Sequence, residues 1–213
     1  MREIEQIYES THKQFKEWSF NSSLNYRNAV CAETLRANQT NWGEVGSSEI
    51  GDKVGFSILW TSIFKRPQIL LCGCCVTSFG SYEENVKNLA GEIPNKNLAI
   101  GAKHQFGQTI ERVFRECNSF DLLKNSVGMN MWHFQYVGSP TYSQFAEEVR
   151  LFCESNTVKI IELLQPKYLI SLHNYTTRRL RRHFPELIEM PHPSFQSGTP
   201  FKVKMSEFLQ GTA

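Results

Sequence analysis

The sequence predicts an α/β protein: a three-layer α/β/α sandwich with a central, mostly parallel four-stranded sheet. Two observations carry this prediction. Short apolar runs typical of buried parallel strands recur along the chain, and segments with a helical spacing of apolar residues separate them. Strands that alternate with helices form a parallel sheet covered on both faces, and the functional loops of such sheets leave the carboxyl ends of the strands.

The first elements are a helix and a long polar segment. Residues 2–19 are charged and carry a partial apolar stripe that includes Ile4, Ile7 and Phe15, which predicts an amphipathic surface helix. Residues 21–52 are rich in Asn, Ser and Gly, which predicts loops with one short helix over residues 26–37. This segment could instead be a specificity insertion.

Four strands and three further helices complete the predicted order. The first strand is Gln68-Ile-Leu-Leu-Cys-Gly73, an apolar run that follows a proline and ends in glycine. The later strands are predicted over residues 126–130, 167–172 and 187–190, and the helices over residues 108–117, 143–165 and 174–183. Ser143 is the expected N-cap of the longest helix, and Pro166 is its expected stop.

Size and composition limit the classes of protein that fit. A chain of 213 residues with 40% hydrophobic content predicts one domain, residues 1–213, with residues 1–52 as an N-terminal helical and loop extension.

No apolar run is long enough to cross a membrane, and the first 16 residues are unlike a signal peptide, so we expect a cytoplasmic protein. We also expect a monomer. The formal net charge of +2 neither requires nor excludes a polyanionic partner.

The six cysteines form no C-x-x-C pair and no regular framework. We therefore predict neither structural disulfides nor a zinc site, and no metal or cofactor.

Three strand-end and loop motifs stand in an informative order from residue 68 onward. The late loop reads Met190-Pro-His-Pro-Ser-Phe195 directly after a short strand, and Asn130 ends the second strand. Phe106 lies just before a helix. Together these motifs resemble the uracil-DNA glycosylase superfamily, in which an aromatic residue before a helix, a strand-end Asn and a late His-Pro-Ser loop follow one another in the same order.

The resemblance implies a role for each residue. His192 would donate a hydrogen bond to the pyrimidine O2 as negative charge collects on the departing base. Asn130 would read the base edge, and Phe106 would stack on the flipped base. Ser194, in the loop that Pro193 stiffens, would contact a phosphate oxygen. The alternatives are an exposed histidine in a Pro-rich turn, a turn-forming asparagine and a core phenylalanine.

The first motif departs from the family. The family supplies a water-activating Asp or Asn after the first strand, whereas this chain reads Gly73-Cys-Cys-Val-Thr-Ser-Phe79, with Cys75 at the expected position. A thiol is a poor general base near neutral pH unless its pKa is depressed. Gly73, Cys74 and Phe79 are expected to line the base pocket. Another acid could activate water, His192 could carry the chemistry, or the protein could bind without cutting. The substitute acids considered are Glu83, Glu84 and Asp121.

The predicted function is that of a DNA glycosylase that flips out and excises a uracil-like or modified pyrimidine, in base-excision repair or phage defence. The segment from Gly73 to Phe106 is longer than compact relatives need, so the base could be a bulky modified cytosine of the kind found in phage DNA. Arg178 and Arg182, in the densest basic run, are the expected phosphate contacts. One alternative is an inactive sensor of modified DNA. Another is a thiol enzyme unrelated to DNA, with Cys74 or Cys75 as nucleophile.

Overall fold

The computed structural model describes residues 2–20, 58–61, 63, 66–74, 99–102, 105–133 and 147–212. Contacts divide these residues into two compact units, which are described separately. The first unit holds residues 2–20, 58, 130–133 and 147–160, and the second unit holds the others. The helix predicted over residues 26–37 and the N-cap predicted at Ser143 lie outside the described residues. The single-domain prediction stays a prediction.

The described elements alternate between helix and strand. Numbered over these residues, they are α1 (Arg2–Phe20), β1 (Ile69–Gly73), α2 (Gln105–Glu116), α3 (Phe120–Lys124), β2 (Val127–Asn130), α4 (Glu147–Leu164), β3 (Tyr168–Ser171), α5 (Asn174–Leu180), β4 (Ile188–Glu189), a 3₁₀ turn (Phe195–Gly198) and α6 (Thr199–Thr212).

The four strands form one parallel sheet in the order β2-β1-β3-β4. In the register of the central strands, Cys72 pairs with Ser171, which in turn pairs with Glu189. The predicted α/β class with a mostly parallel four-stranded sheet is confirmed, and the helices are consistent with a three-layer α/β/α sandwich.

The burial of β1 is that of a central strand, and residues from other elements complete the core around it. The side chains of β1 from Ile69 to Cys72 are fully buried, as expected of a parallel strand covered on both faces. The core of the second unit adds residues from α2, α3, β3 and α6: Ile110, Val113, Phe114, Leu123, Ile170, Phe201, Met205 and Leu209. Burial of this kind contributes roughly 1.5–3 kcal/mol for each large apolar side chain.

Several boundaries differ from the predicted ones. Helix α4 ends at Leu164, close to the predicted stop at Pro166, and Gln165 after it adopts a left-handed φ of 48°. Helix α5 ends at Leu180, short of the predicted end, and the chain continues in a turn in which the His183 and Phe184 N–H groups donate to the Leu180 carbonyl at 2.9 and 2.8 Å. The short helix α3 and the C-terminal helix α6 were not predicted. Pro200, at the second position of α6, was an available start signal.

In the first unit, α1 presents one buried face formed by Ile4, Ile7 and Thr11. The Thr11 hydroxyl donates to the Ile7 carbonyl at 2.7 Å. The same oxygen accepts a hydrogen bond from the Asn156 amide at 3.3 Å, which ties α1 to α4. The buried face follows the predicted stripe, because i, i+3 and i+7 fall on one side of a helix.

His133 is fully buried in the first unit. The Thr157 hydroxyl donates to the Met131 carbonyl at 3.4 Å, so it accepts from His133 Nε2–H, 3.2 Å away. His133 Nδ1 is buried and meets no hydrogen-bond partner among the described residues. Burial therefore lowers the pKa of His133 to about 3, since the imidazolium would carry an unpartnered buried N–H.

His133 is expected to make the protein sensitive to acid. Between its unfolded pKa of about 6.5 and its folded value of about 3, only the unfolded state binds the extra proton. The free energy of unfolding therefore falls as pH falls through this window, by up to about 1.4 kcal/mol per pH unit for this group. Urea unfolding at pH 7, 6, 5 and 4 should show a shallower slope in His133→Gln, which keeps a donor for Thr157. The exposed His183→Gln serves as control, and equal slopes in all three proteins would contradict this account.

Candidate functional site

The candidate site lies in the second unit, where the carboxyl ends of β1, β3 and β4 meet. The Leu172 N–H donates to the Cys72 carbonyl at 2.9 Å, and the Met190 N–H donates to the Ser171 carbonyl at 2.8 Å. These bonds extend the sheet by one residue beyond β3 and β4. His173 and His192 therefore emerge at the same edge, where ligands bind in open parallel sheets.

His192 stands two residues beyond Met190 on a tight turn. Its carbonyl accepts from the Phe195 N–H at 2.9 Å, and its ring Nδ1 accepts from the Ser194 N–H at 3.2 Å. Pro193 between them is buried. Because Nδ1 is an acceptor, the neutral ring carries its proton on Nε2, which makes Nε2–H the donor available to a ligand.

His173 stands two residues beyond the end of β3 and caps α5. Its Nδ1 accepts from the Tyr175 N–H at 3.2 Å, so its neutral ring also carries the proton on Nε2. Its carbonyl accepts from the Ser171 hydroxyl at 3.1 Å and from the Thr177 N–H at 2.9 Å. These bonds hold both the backbone and the ring in place.

An aromatic group from α2 closes this side of the site. The ring of Phe106 lies 5.4 Å from that of His192, centroid to centroid, at an interplanar angle of 42°. His173 meets His192 edge to face, with the centroids 6.3 Å apart. The edge of Trp60 packs on Phe106 at 5.8 Å. The structure thus brings together two predicted residues, His192 and Phe106, with two that were not predicted, His173 and Trp60.

Trp60 reaches Phe106 because Gly128 in β2 leaves room for it. A Cβ on Gly128 would lie 2.5 Å from three atoms of the indole ring. Two hydrogen bonds fix this pairing: the Trp60 N–H donates to the Gly128 carbonyl at 2.9 Å, and the Gly128 N–H donates to the Thr61 hydroxyl at 2.8 Å. Gly128 therefore supports the aromatic side of the site through its contact with Trp60.

Both histidines of the site are held neutral. Burial lowers the pKa of His173, and burial followed by the charge of His173 lowers the pKa of His192. Protonation of either ring would also break its backbone hydrogen bond. At neutral pH, His192 is therefore a hydrogen-bond donor without a charge, which suits an oxygen on which negative charge develops.

The turn after Ser194 has an unusual backbone. Gln196, Ser197 and Gly198 adopt positive φ angles of 45°, 58° and 79°. A Cβ on Gly198 would lie 2.6 Å from the Pro193 carbonyl oxygen and 2.5 Å from the Thr109 methyl. Gly198 is thus required both by its φ and by its close approach to the loop that carries His192.

The first-motif residues are only partly described. Gly73 ends β1, and its carbonyl accepts from the Thr176 hydroxyl at 3.4 Å. Cys74 is 6% exposed, which is unfavourable for a nucleophile that must reach a substrate. Burial also raises the pKa of the Cys72 thiol. Cys75 and Phe79 lie outside the described residues, as do Glu83 and Glu84.

Asp121, the third substitute acid, lies in the first turn of α3. Its carboxylate is 88% exposed and pairs with the Lys124 ammonium at 2.6 Å. The hydrogen bond and charge of Lys124 lower the pKa of Asp121. This environment is that of a solvated surface charge.

Asn130 ends β2 and belongs to the first unit. Its N–H donates to the Ile58 carbonyl at 2.7 Å, and the residue is 8% exposed. It stands at a strand end as predicted, and its role as base reader stays a prediction.

The basic run around α5 divides into two pairs of arginines. Arg179 donates to the Tyr175 hydroxyl at 3.2 Å, and Arg181 pairs with Glu189 at 3.4 Å. Arg178 and Arg182 are exposed, and no hydrogen bond or ion pair with another described residue engages their side chains. These are the two arginines predicted to contact phosphate, and Arg182 lies in the turn after the helix rather than on it.

The arrangement can stack a flat ring and donate a hydrogen bond to an anionic oxygen. In the part of the chain that the structure describes, no group of three His, Cys, Asp or Glu residues is arranged to hold a metal ion. None of the helices in these described ranges is long and apolar enough to cross a membrane. No known family model matches the sequence, and a search of curated proteins finds no significant match.

Proposed function

We propose that the protein is a DNA glycosylase that excises a flipped pyrimidine base. One observation supports this most strongly: His192 is a neutral, half-buried Nε2–H donor in contact with Phe106. A departing pyrimidine collects negative charge on its O2. A fixed, uncharged hydrogen-bond donor in a partly desolvated site stabilises that charge, and the ring needs no change of protonation state first. Phe106 offers aromatic surface for the extruded base.

The chemistry proposed relies on the departing base more than on activated water. Within the described residues, the His192 ring meets two other rings and accepts one backbone N–H on Nδ1, with no carboxylate among these partners. The N-glycosidic bond would break with its electron pair passing to the base, water would then add to the sugar carbon, and the proton that this water gives up would pass to the base anion or to solvent. Of the three chemical outcomes left open by the first motif, the described residues favour the one that depends on His192.

The second candidate function is that of a binding protein for modified DNA without base excision. The sequence favours it at one point, since Cys75 stands where a water-activating carboxylate or amide is expected. The thiol-enzyme alternative is weaker, because Cys74 is buried. DNA as partner, a monomeric state and a cytoplasmic location are parts of the same proposal.

The test is an assay for abasic sites over a panel of duplexes that carry uracil, hydroxymethylcytosine or glucosylated hydroxymethylcytosine. A glycosylase leaves an alkali-labile site in at least one of them. A sensor binds one of them tightly and leaves none. Activity confined to uracil would remove the bulky-base proposal while keeping the glycosylase.

DNA affinity is expected to depend on Arg178 and Arg182. Each Arg→Gln change should weaken binding to all duplexes about equally and lower the slope of log K against log salt by about one, because one phosphate contact is lost. Fluorescence anisotropy between 50 and 200 mM salt measures this slope. Arg115→Gln, which removes a cation paired with Glu111 on α2, is the control. Unchanged slopes in both variants would exclude these arginines from the DNA contact.

A further inference from the structure

We propose that His173 is a positioning residue for His192: the two rings act as a pair in which a proton on His173 opposes a proton on His192, so that His192 stays neutral with its proton on Nε2. The part of the inference that base release tests rests on the proposed function, and the part that an NMR titration tests does not. Nothing in the sequence marked His173, which reads as an ordinary residue between a strand and a helix.

The geometry gives the pair a fixed arrangement. The rings meet edge to face, with an interplanar angle of 83° and centroids 6.3 Å apart. Each ring is held by a backbone N–H on its Nδ1, from Tyr175 for His173 and from Ser194 for His192. Two imidazolium rings at this distance in a half-buried site repel each other, so the second proton binds much less readily than the first.

Of the groups packed around His192 in the described part of the second unit, His173 is the one that can change its charge. Helix α2 contributes the ring of Phe106, and the loop itself contributes the Ser194 N–H. The charge of His173 acts on His192 in addition to burial, and both lower the pKa of His192. The pair thus behaves as one titrating unit with two steps.

The same geometry argues against His173 as the group that activates water. In its neutral form Nε2 carries the proton, and the lone pair on Nδ1 is engaged by the Tyr175 N–H. A general base needs an available lone pair, and this ring would have to give up its capping bond to provide one. Its role is therefore exerted through His192.

The experiment is an NMR titration of the His192 ring in the wild-type protein, His173→Asn and His173→Asp. Asn and Asp are both favourable N-cap residues, so both keep an acceptor for the Tyr175 N–H. His173→Asn removes the repelling charge, and His173→Asp replaces it with an attracting one. The pKa of His192 should rise in the order wild type, His173→Asn, His173→Asp, while His183→Asn at an exposed imidazole should leave it unchanged.

Base release provides the second readout. Its acid limb should move to higher pH in the same order, by about one pH unit for His173→Asp, which is tenfold in rate on that limb. The rate on the neutral plateau should change by less than about threefold for His173→Asn. A merely structural role would lower the plateau and leave the limb in place.

The outcomes separate the two proposals. If His192 titrates at the same pH in the wild type and in His173→Asn, or at a lower pH in the variant, the pairing is wrong even where base release persists. If no protein releases any base but the NMR order holds, the proposed function fails and the pairing stands. If His173→Asp does not fold, the direction in which His173→Asn changes the pKa of His192 decides whether the pairing holds.

Discussion

His192→Ala should lower the rate of base release by about 10²- to 10³-fold, the cost of removing one preorganised donor from a developing anion. The side chain is half-buried at a strand end, and its removal leaves the Ser194 N–H near solvent. The free energy of unfolding should therefore change by about 1 kcal/mol or less. Single-turnover base release and thermal unfolding measure the two effects.

Two variants sharpen the interpretation of His192. His192→Gln keeps an amide donor and should retain more activity than His192→Ala. His183→Ala removes an exposed imidazole outside the site loop and should keep wild-type activity. Wild-type rates in His192→Ala would refute the assignment, whereas a loss that accompanies unfolding would point to a structural role.

Gly198→Ala is expected to lower the stability of the protein strongly. Its φ of 79° disfavours any side chain, and the added Cβ would lie 2.6 Å from the Pro193 carbonyl, a backbone atom that cannot rotate away. The strain and the overpacking together should cost about 2–4 kcal/mol. Because Pro193 follows His192 directly, base release should also fall by at least about tenfold, as the donor shifts.

Substitutions at two other glycines separate the cost of the positive φ from the cost of the close contact with Pro193. Gly101 has a φ of 68° but open space at its Cβ, so Gly101→Ala pays the backbone cost alone, about 1 kcal/mol. Gly211 lies in α6 with open space and no positive φ, so Gly211→Ala should be neutral or stabilising by up to about 1 kcal/mol. Denaturant unfolding ranks the three variants. Equal losses for Gly198→Ala and Gly101→Ala would show that the contact with Pro193 carries no cost.

The sequence was informative where local pattern decides structure. The apolar run that ends in Gly73 predicted β1, because a strand buried on both faces needs no alternation. The loop around His192 is predicted because it follows a short strand and its His-Pro-Ser sequence resembles the late loop of the uracil-DNA glycosylase superfamily. Phe106 was predicted just before a helix and lies in the first turn of α2.

Contacts between residues that are far apart in the sequence could not be predicted from local sequence patterns. Trp60 belongs to the site because its indole lies on Gly128, 68 positions away, and no spacing rule connects the two. His173 was missed because a strand-end histidine is indistinguishable by sequence from an ordinary helix cap. The left-handed φ angles of Gln196 and Ser197 also lack a sequence signal, since neither residue type favours them strongly.

The glycosylase assignment is tested most directly by the product itself: free base measured by mass spectrometry, together with abasic sites, after a single turnover on the duplex that binds most tightly. We predict one free base per abasic site with the wild-type protein and at least about 100-fold slower release with His192→Ala. Tight binding with neither free base nor abasic site would contradict the assignment and leave a DNA-binding protein in its place.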